Sequence, residues 1–327
     1  MEIGKLSNEK LQKIILNKIE AKRDEVILKP TIGEDCGALD FGEEYCVIST
    51  DPITGTENKI GVLAVNVALN DIAASGAVPI GIMVTMLIPP NATESDIDNI
   101  MDQLSKTASQ ANIDIIGGHT EITDAVNRFV ICVTAVGKTM NNNIVKTSGA
   151  KPGDDLVLTK YAGLEGTSII AYDNEQQLIS QFGLDIVKQA QDLIKEISVI
   201  KEGMICAEFG VNAMHDVTEG GVLGAIWEMC HASNIGAQIN KECIPILKET
   251  KLICDYYDID PLKLISSGSM LISTKNGNEL VKKIKQEGIN AAIIGTVTEN
   301  KTIYLKTDCE SIIVSQPKTD ELYKVNK

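Results

Sequence analysis

The chain has 327 residues, of which 44% are apolar and 23% charged, and its formal net charge is −15. That is enough for two domains of ordinary size, and the composition excludes an intrinsically disordered chain. The negative balance argues against sequence-independent binding to nucleic acid, which needs a basic surface, but a small anionic substrate fits if a metal ion carries the positive charge.

Of the 30 basic residues only Arg23 and Arg128 are arginines, so a phosphate site built on forked guanidinium groups is not expected. Phosphate would be handled by Mg²⁺, lysines and backbone N–H groups. With aromatic residues at 4%, the core must be aliphatic. No basic start leads into an apolar segment, so no secretion signal is read. Apolar stretches such as 80–88 fall short of the roughly 20 residues a membrane helix needs, and a cytoplasmic location without membrane contact is expected. The eight cysteines form no CxxC pair, and their apolar settings read as reduced thiols rather than disulfides or zinc ligands.

In chain order, the first helix is expected after Ser7 as N-cap, with Leu11, Ile14, Ile15 and Ile19 on one face. A Gly-containing turn over 32–38 follows, then a strand over 45–49 running into Thr50-Asp51-Pro52. Residues 60–76 are apolar on nearly every side apart from Asn66, Asn70 and Asp71, and read as a buried helix ending at Gly76. A strand is expected over 81–88. The next helix opens at Thr93, with Asp96 three residues on, and buries Ile97, Ile100, Met101 and Leu104.

Strands over 113–116 and 129–137 give the first half a β-α-β-α-β-β order. The segment 146–155, with Gly149, Pro152 and Gly153, reads as a boundary between domains 1–147 and 148–327. Beyond it come a strand (155–159), a turn at Gly163-Leu-Glu-Gly166, helices near 166–172, 175–195 and 199–209, a strand over 212–215, a helix over 220–233, and alternating elements to about 306. The last dozen residues are polar and expected to be loose. The fold class is mixed α and β in two domains.

Five acids stand out from the solvated majority. Asp35 lies in a Gly-flanked turn, Asp51 ends a strand, and Asp71 interrupts an apolar helix. Glu121 follows Gly117-Gly118-His119-Thr120, and Asp216 precedes Val217-Thr218-Glu219-Gly220-Gly221. A carboxylate near buried surface is costly without a cation, and Mg²⁺, which prefers hard oxygen ligands shared with phosphate, would satisfy several at once. The adjacent glycines would let backbone amides approach a phosphate. On residue chemistry alone, helix caps and turn acids explain these positions equally well. His119 reads as an active-site residue, His215 as a packing or supporting residue, and His231, Trp227 and Met229 as structural. Lys59 is either a surface lysine or part of an inward-folding loop.

Taken together, Gly33-Glu-Asp35-Cys, Ser49-Thr-Asp51, Asn70-Asp71-Ile-Ala-Ala-Ser-Gly76-Ala, Gly117-Gly-His-Thr-Glu121 and Asp216-Val-Thr-Glu-Gly-Gly221 resemble the ordered motif series of the aminoimidazole ribonucleotide (AIR) synthetase, or PurM-like, superfamily. That superfamily includes AIR synthetase, thiamine-monophosphate kinase, selenophosphate synthetase and the hydrogenase maturation factor HypE. The series spans nearly the whole chain in the family order, and neither a Walker motif nor GxGxxG competes with it. The linker Ser148-Gly-Ala-Lys-Pro-Gly-Asp154 and the turn Gly163-Leu-Glu-Gly166 resemble the family's entry into its second domain.

The resemblance implies a two-domain fold with an N-terminal domain that completes a β-barrel across a homodimer, a C-terminal α/β domain, and ATP with Mg²⁺ in the adjoining cleft. Carried over by position, it implies Asp35, Asp51, Asp71 and Asp216 as metal or phosphate ligands. It places Ser49, Thr50, Gly117, Gly118, Lys146, Thr218, Glu219 and Gly220 around the nucleotide, and His119, Glu121 and Lys59 as catalytic candidates. The implied chemistry is ATP-dependent activation of an amide, carbonyl or phosphate oxygen on a small or carrier-borne substrate. Small-molecule phosphorylation, or a non-catalytic role beside a maturation-protein partner, are the alternatives.

The departures are specific. His119 stands where thiamine-monophosphate kinase has an acid, and Thr147, with Lys146 beside it, stands where that kinase has an arginine. No Gly-rich cysteine loop of the selenophosphate synthetase kind precedes Gly33. The sequence closes Asp320-Glu-Leu-Tyr-Lys-Val-Asn-Lys327 without the terminal cysteine of HypE, so HypE's own reaction is not expected. The pattern is nearest to HypE-like, AIR synthase-related proteins.

Overall fold

The structure is a computed structural model that describes residues 6, 8–19, 22–54, 56–139, 143–316 and 319–325. Ser7, the expected first N-cap, lies outside the described residues. The following segment is a short α-turn, α1 (Asn8–Lys10), continued by a π turn and a 3₁₀ turn to Lys18. Among the described residues its apolar side is left exposed at Ile14, Ile15 and Ile19.

The first half is built on a six-stranded sheet made of β1 (Val26–Leu28), β2 (Gly37–Asp40), β3 (Tyr45–Ile53), β4 (Ala77–Ile88), β5 (Asp114–Ile122) and β6 (Val130–Thr139). The strand order is β1-β2-β3-β6-β4-β5, and only the β4–β5 pair is parallel. Two expectations change here. β3 runs on to Ile53, so Asp51 lies within a strand and does not end one. β5 continues through Gly117–Glu121, which is edge strand and not turn. Gly118 shows why: a Cβ there would sit 1.9 Å from the Val84 carbonyl oxygen, so only glycine lets β5 approach β4 this closely.

One face of this sheet packs on α2 (Ile60–Ala74), which is buried at 13 of its 15 positions. It has no polar face because it is sandwiched between the sheet, α3 (Glu94–Gln110) and the second half of the chain. α3 opens with the expected capping box between Thr93 and Asp96 and buries Ile100 and Leu104. Met101, by contrast, is exposed and Ile97 only half-buried.

The second half holds a seven-stranded sheet of β7 (Asp155–Thr159), β8 (Ala213–Asp216), β9 (Gly236–Asn240), β10 (Met270–Thr274), β11 (Ala291–Thr298), β12 (Ile303–Lys306) and β13 (Ser311–Ile313). Its order is β13-β12-β9-β11-β7-β10-β8, antiparallel except for β12–β9. The helices are α4 (Leu164–Asp173), α5 (Glu175–Phe182), α6 (Leu184–Asp192), α7 (Ile200–Phe209), α8 (Gly221–Ser233), α9 (Lys248–Tyr257) and α10 (Gly277–Gln286). The helix expected over 175–195 breaks at Gly183, whose positive φ of 84° ends α5. Gly163-Leu-Glu-Gly166 forms the start of α4, with Gly163 as a left-handed N-cap.

Two contacts hold the halves together. Asn70 on α2 donates to the Ile197 carbonyl (2.8 Å) and accepts from the Val199 N–H (2.9 Å). At Gly203 on α7 a Cβ would lie 2.3 Å from the Ala73 carbonyl oxygen, so the two helices meet backbone to backbone. The C-terminal segment, expected to be loose, is docked instead. Asp320 accepts N–H bonds from Gly220, Ile265 and Leu322, and Leu322 is buried. Among the described residues no helix is long and apolar enough to cross a membrane.

Candidate functional site

Ser49 and Asp51 alternate along β3 onto the same side of the sheet, the side covered by α2. Asp71 is presented from inside α2, whose rotation Asn70 fixes. The Ser49 hydroxyl donates to the Asp71 carboxylate, lies 3.3 Å from Asp51 Oδ2, and is 3.3 Å from the Asp35 backbone carbonyl. The turn before β2 therefore brings Asp35 alongside. Asp216, at the end of β8, closes the group from the second half of the chain. Four acids separated by up to 181 positions thus lie in one cluster, Asp51 and Asp71 at Ser49 and Asp216 beside Asp35.

The electrostatics of this cluster favour a cation. Burial, followed by the charges of Asp216, Asp51 and Asp35, pushes Asp71 well above the usual carboxylate range. Burial and the same four aspartates raise the neighbouring Cys36 thiol, leaving it neutral and inert. A divalent cation among these oxygens would relieve the repulsion, so the residues present fit Mg²⁺.

His215 connects the cluster to α8. It is 2% exposed, with Nδ1 3.2 Å from Asp35 Oδ2 and Nε2 2.9 Å from Glu228 Oε2. Burial opposes its charge, but the charges and hydrogen bonds of Asp35 and Glu228 outweigh burial and raise its pKa well above an ordinary histidine's. Thr147 Oγ1 lies 3.4 Å from the same Nδ1. Glu34 ties down the segment that links the two halves, accepting from the N–H groups of Thr147 (3.4 Å) and Ser148 (3.2 Å). Lys146, just before them, is exposed.

Other expected residues fall elsewhere. Thr50 points to the opposite face of β3 and bonds Thr134 Oγ1 at 2.9 Å. His119 and Glu121 pair with each other at 2.9 Å. Through the register His119–Thr85–Cys132–Pro52 they lie on that same opposite face. Along the sheet they are three strands, roughly 14 Å, from β3. Within one chain the structure does not bring them, or Gly117 and Gly118, to the aspartates. Lys59 is half-buried at the N-terminus of α2, its Nζ 5.6 Å from the Tyr172 ring centre, while Thr56 and Asn58 donate to Asp173. The loop after β3 therefore folds against α4. The Gly220 N–H, expected to face phosphate, is taken by Asp320 Oδ2 at 2.7 Å.

Thr218 and Glu219 follow Asp216 after Val217, and Glu219 accepts from the Tyr323 hydroxyl at 3.0 Å. Here a small open cavity of about 80 Å³ lies, lined among others by Ile53, Thr54, Glu165, Glu219, Asp320 and Tyr323. Burial raises Glu165 to about 7 and Asp320 to about 6. The sequence reading did not single out Glu228, Glu165 or the docked C-terminal segment. Glu228 carried the same signal that marked Asp71, an acid inside an apolar helix. The contact of residues 320–323 with Glu219 and Gly220 had no local signal.

Profiles for the AIR synthase related protein match this chain with their N-terminal domain over residues 33–139 and their C-terminal domain over 151–308. A putative hydrogenase expression/formation protein of Methanocaldococcus jannaschii is 28% identical, covering 98% of this chain and 97% of its own length. The carbamoyl dehydratase HypE of Rhizobium leguminosarum bv. viciae is 24% identical over 84% of this chain and 79% of its own. The crystal structure of a hydrogenase maturation protein HypE in complex with ATP has the same fold, with a TM-score of 0.70 at 18% identity over 98% of this chain and 97% of that one. With both domain profiles matched in order along mixed α/β halves of this fold, the chain belongs to the AIR synthase related family.

Proposed function

We propose that this protein is an ATP-dependent enzyme that activates an amide, carbonyl or phosphate oxygen of a small or carrier-borne substrate. The clustering of Asp35, Asp51, Asp71 and Asp216 carries this reading. The ATP-bound HypE fold and the carbamoyl dehydratase relative support the nucleotide and the reaction class.

Asp35, Asp51, Asp71 and Asp216 would hold a divalent cation such as Mg²⁺, which would supply charge neutralisation for nucleotide phosphates. Ser49 fixes the rotamer of Asp71 by donating to it, and His215 packs its Nδ1 against Asp35. Thr218 and Glu219 border the nucleotide next to Asp216, and the cavity between Glu219 and Thr54 receives the acceptor. Residues 1–147 supply nucleotide binding and self-association, and 148–327 close the site.

The working unit is a homodimer. Among the described residues nothing covers the sheet face turned away from α2, which carries Ile48, Met83, Val136 and Ile116, with Met83 and Ile116 exposed. A second copy of the chain would cover that face and give His119, Glu121, Gly118 and Thr50 a nucleotide to act on across the interface. A hydrogenase-maturation partner is in keeping with the Methanocaldococcus relative.

Asp216→Asn should lower ATP turnover at least 100-fold while thermal unfolding stays near wild type; wild-type turnover in that variant would remove the cluster from the mechanism. Labelled γ-phosphate recovered as inorganic phosphate supports oxygen activation, whereas label on a stable product identifies a kinase.

A further inference from the structure

The oxygen-only set Ser49, Asp51 and Asp71 suits Mg²⁺, but the neighbouring set is different in kind. Ligand atoms of Asp35, His215 and Asp216 all lie within 4.8 Å of one another, the spread expected of donors around one ion. His215 is held for such a task from behind. Its Nε2 is 2.9 Å from Glu228 Oε2, a carboxylate that accepts the Nε2–H hydrogen bond and so favours the tautomer whose Nδ1 lone pair faces Asp35. Metal-bound histidines characteristically have this outer carboxylate. His215 and Asp216 are buried, while the Asp35 side chain is 34% exposed, so an ion would enter past Asp35.

We propose that Asp35, His215 and Asp216 form a mixed nitrogen–oxygen cation site, with His215 Nδ1 as a ligand, that selects a first-row transition divalent ion over Mg²⁺. The proposal rests on the reading of this cluster as a cation-dependent nucleotide site. Imidazole is a good ligand for transition ions and a poor one for Mg²⁺, which prefers hard oxygen and near-ideal octahedral geometry. Three protein donors leave further coordination positions for phosphate oxygens or water. The competing structural role is a protonated His215 that donates to Asp35 and Thr147 and never meets a metal.

The test uses full-length protein with Mn²⁺ and no nucleotide, read by pulsed EPR for nitrogen modulation from imidazole. Wild type should show the modulation, His119→Gln should keep it, and His215→Gln should lose it. The preference for Mn²⁺ over Mg²⁺ should fall at least tenfold in His215→Gln. If that variant does not fold, Glu228→Gln keeps the imidazole and should retain the modulation while weakening Mn²⁺ binding about 10- to 100-fold; unchanged affinity there overturns the proposal. Mn²⁺ bound without nitrogen modulation also overturns it, and leaves the nucleotide-site reading standing. Absence of any divalent binding together with absence of ATP turnover removes both.

Discussion

Replacing Glu165 by glutamine should stabilise this protein, and more so as pH rises. Glu165 is buried and its carboxyl is raised from an ordinary 4.5 to about 7. Burial is the main cause, hydrogen bonding from Ser267 opposes it through the backbone N–H, and the charges of Asp320 and Glu219 add to it. Between those two values the folded protein keeps a proton that the unfolded chain releases, so stability falls as pH rises from about 4.5 and levels off above about 7. For a shift of this size the linkage amounts to about 1.4 kcal/mol at pH 5.5 and about 3.3 kcal/mol at pH 8.

Glu165→Gln cannot ionise, and its carbonyl can still accept from the Ser267 N–H, which is 3.3 Å from Oε2 in the wild type. The stability difference between variant and wild type should therefore grow by about 2 kcal/mol in the variant's favour between pH 5.5 and pH 8. Guanidinium unfolding at the two pH values measures it. A difference between the proteins that is the same at both would refute the assignment of a protonated, buried Glu165.

Lys160 and Glu202 form an ion pair of 2.8 Å with exposures of 8% and 1%, and Lys160 also donates to the carbonyls of Glu196 and Ser198. Lys160→Met should cost about 3–5 kcal/mol by stranding the buried Glu202, and adding Glu202→Leu should recover much of that in denaturant unfolding. Gly118→Ala puts a methyl 1.9 Å from the Val84 carbonyl oxygen. It should detach β5 from β4, at a cost of about 3 kcal/mol or more, seen as faster amide exchange along 114–122; unchanged exchange would count against the close approach.

Local chemistry made much of this protein legible. The apolar run 60–76 could only be a helix buried on all sides, the Thr93–Asp96 pair capped α3 as written, and Asp71 stood out because a charge inside such a helix needs a reason. The motif series, spread over the chain in a fixed order, identified the family, and it drew attention to four aspartates that the fold gathers into one cluster.

Other features depend on where strands lie in space. Gly117-Gly-His-Thr-Glu121 has the composition of a turn, yet it forms an edge strand, because a neighbouring strand supplies the hydrogen bonds that sequence cannot reveal. The alternation along β3 then separates Thr50 from Ser49, and the register across three strands carries His119 and Glu121 to the face opposite Asp71. The polar C-terminal segment looked unable to order itself. It does so because Gly220, Ile265 and Leu322 offer N–H groups that Asp320 collects at once. Sequence determined which residues carry carboxylate and hydroxyl oxygens of the kind a cation favours, since that chemistry resides in each side chain. Only the tertiary structure decided which of them share one face, because facing is set by pairing and packing between segments far apart in the chain.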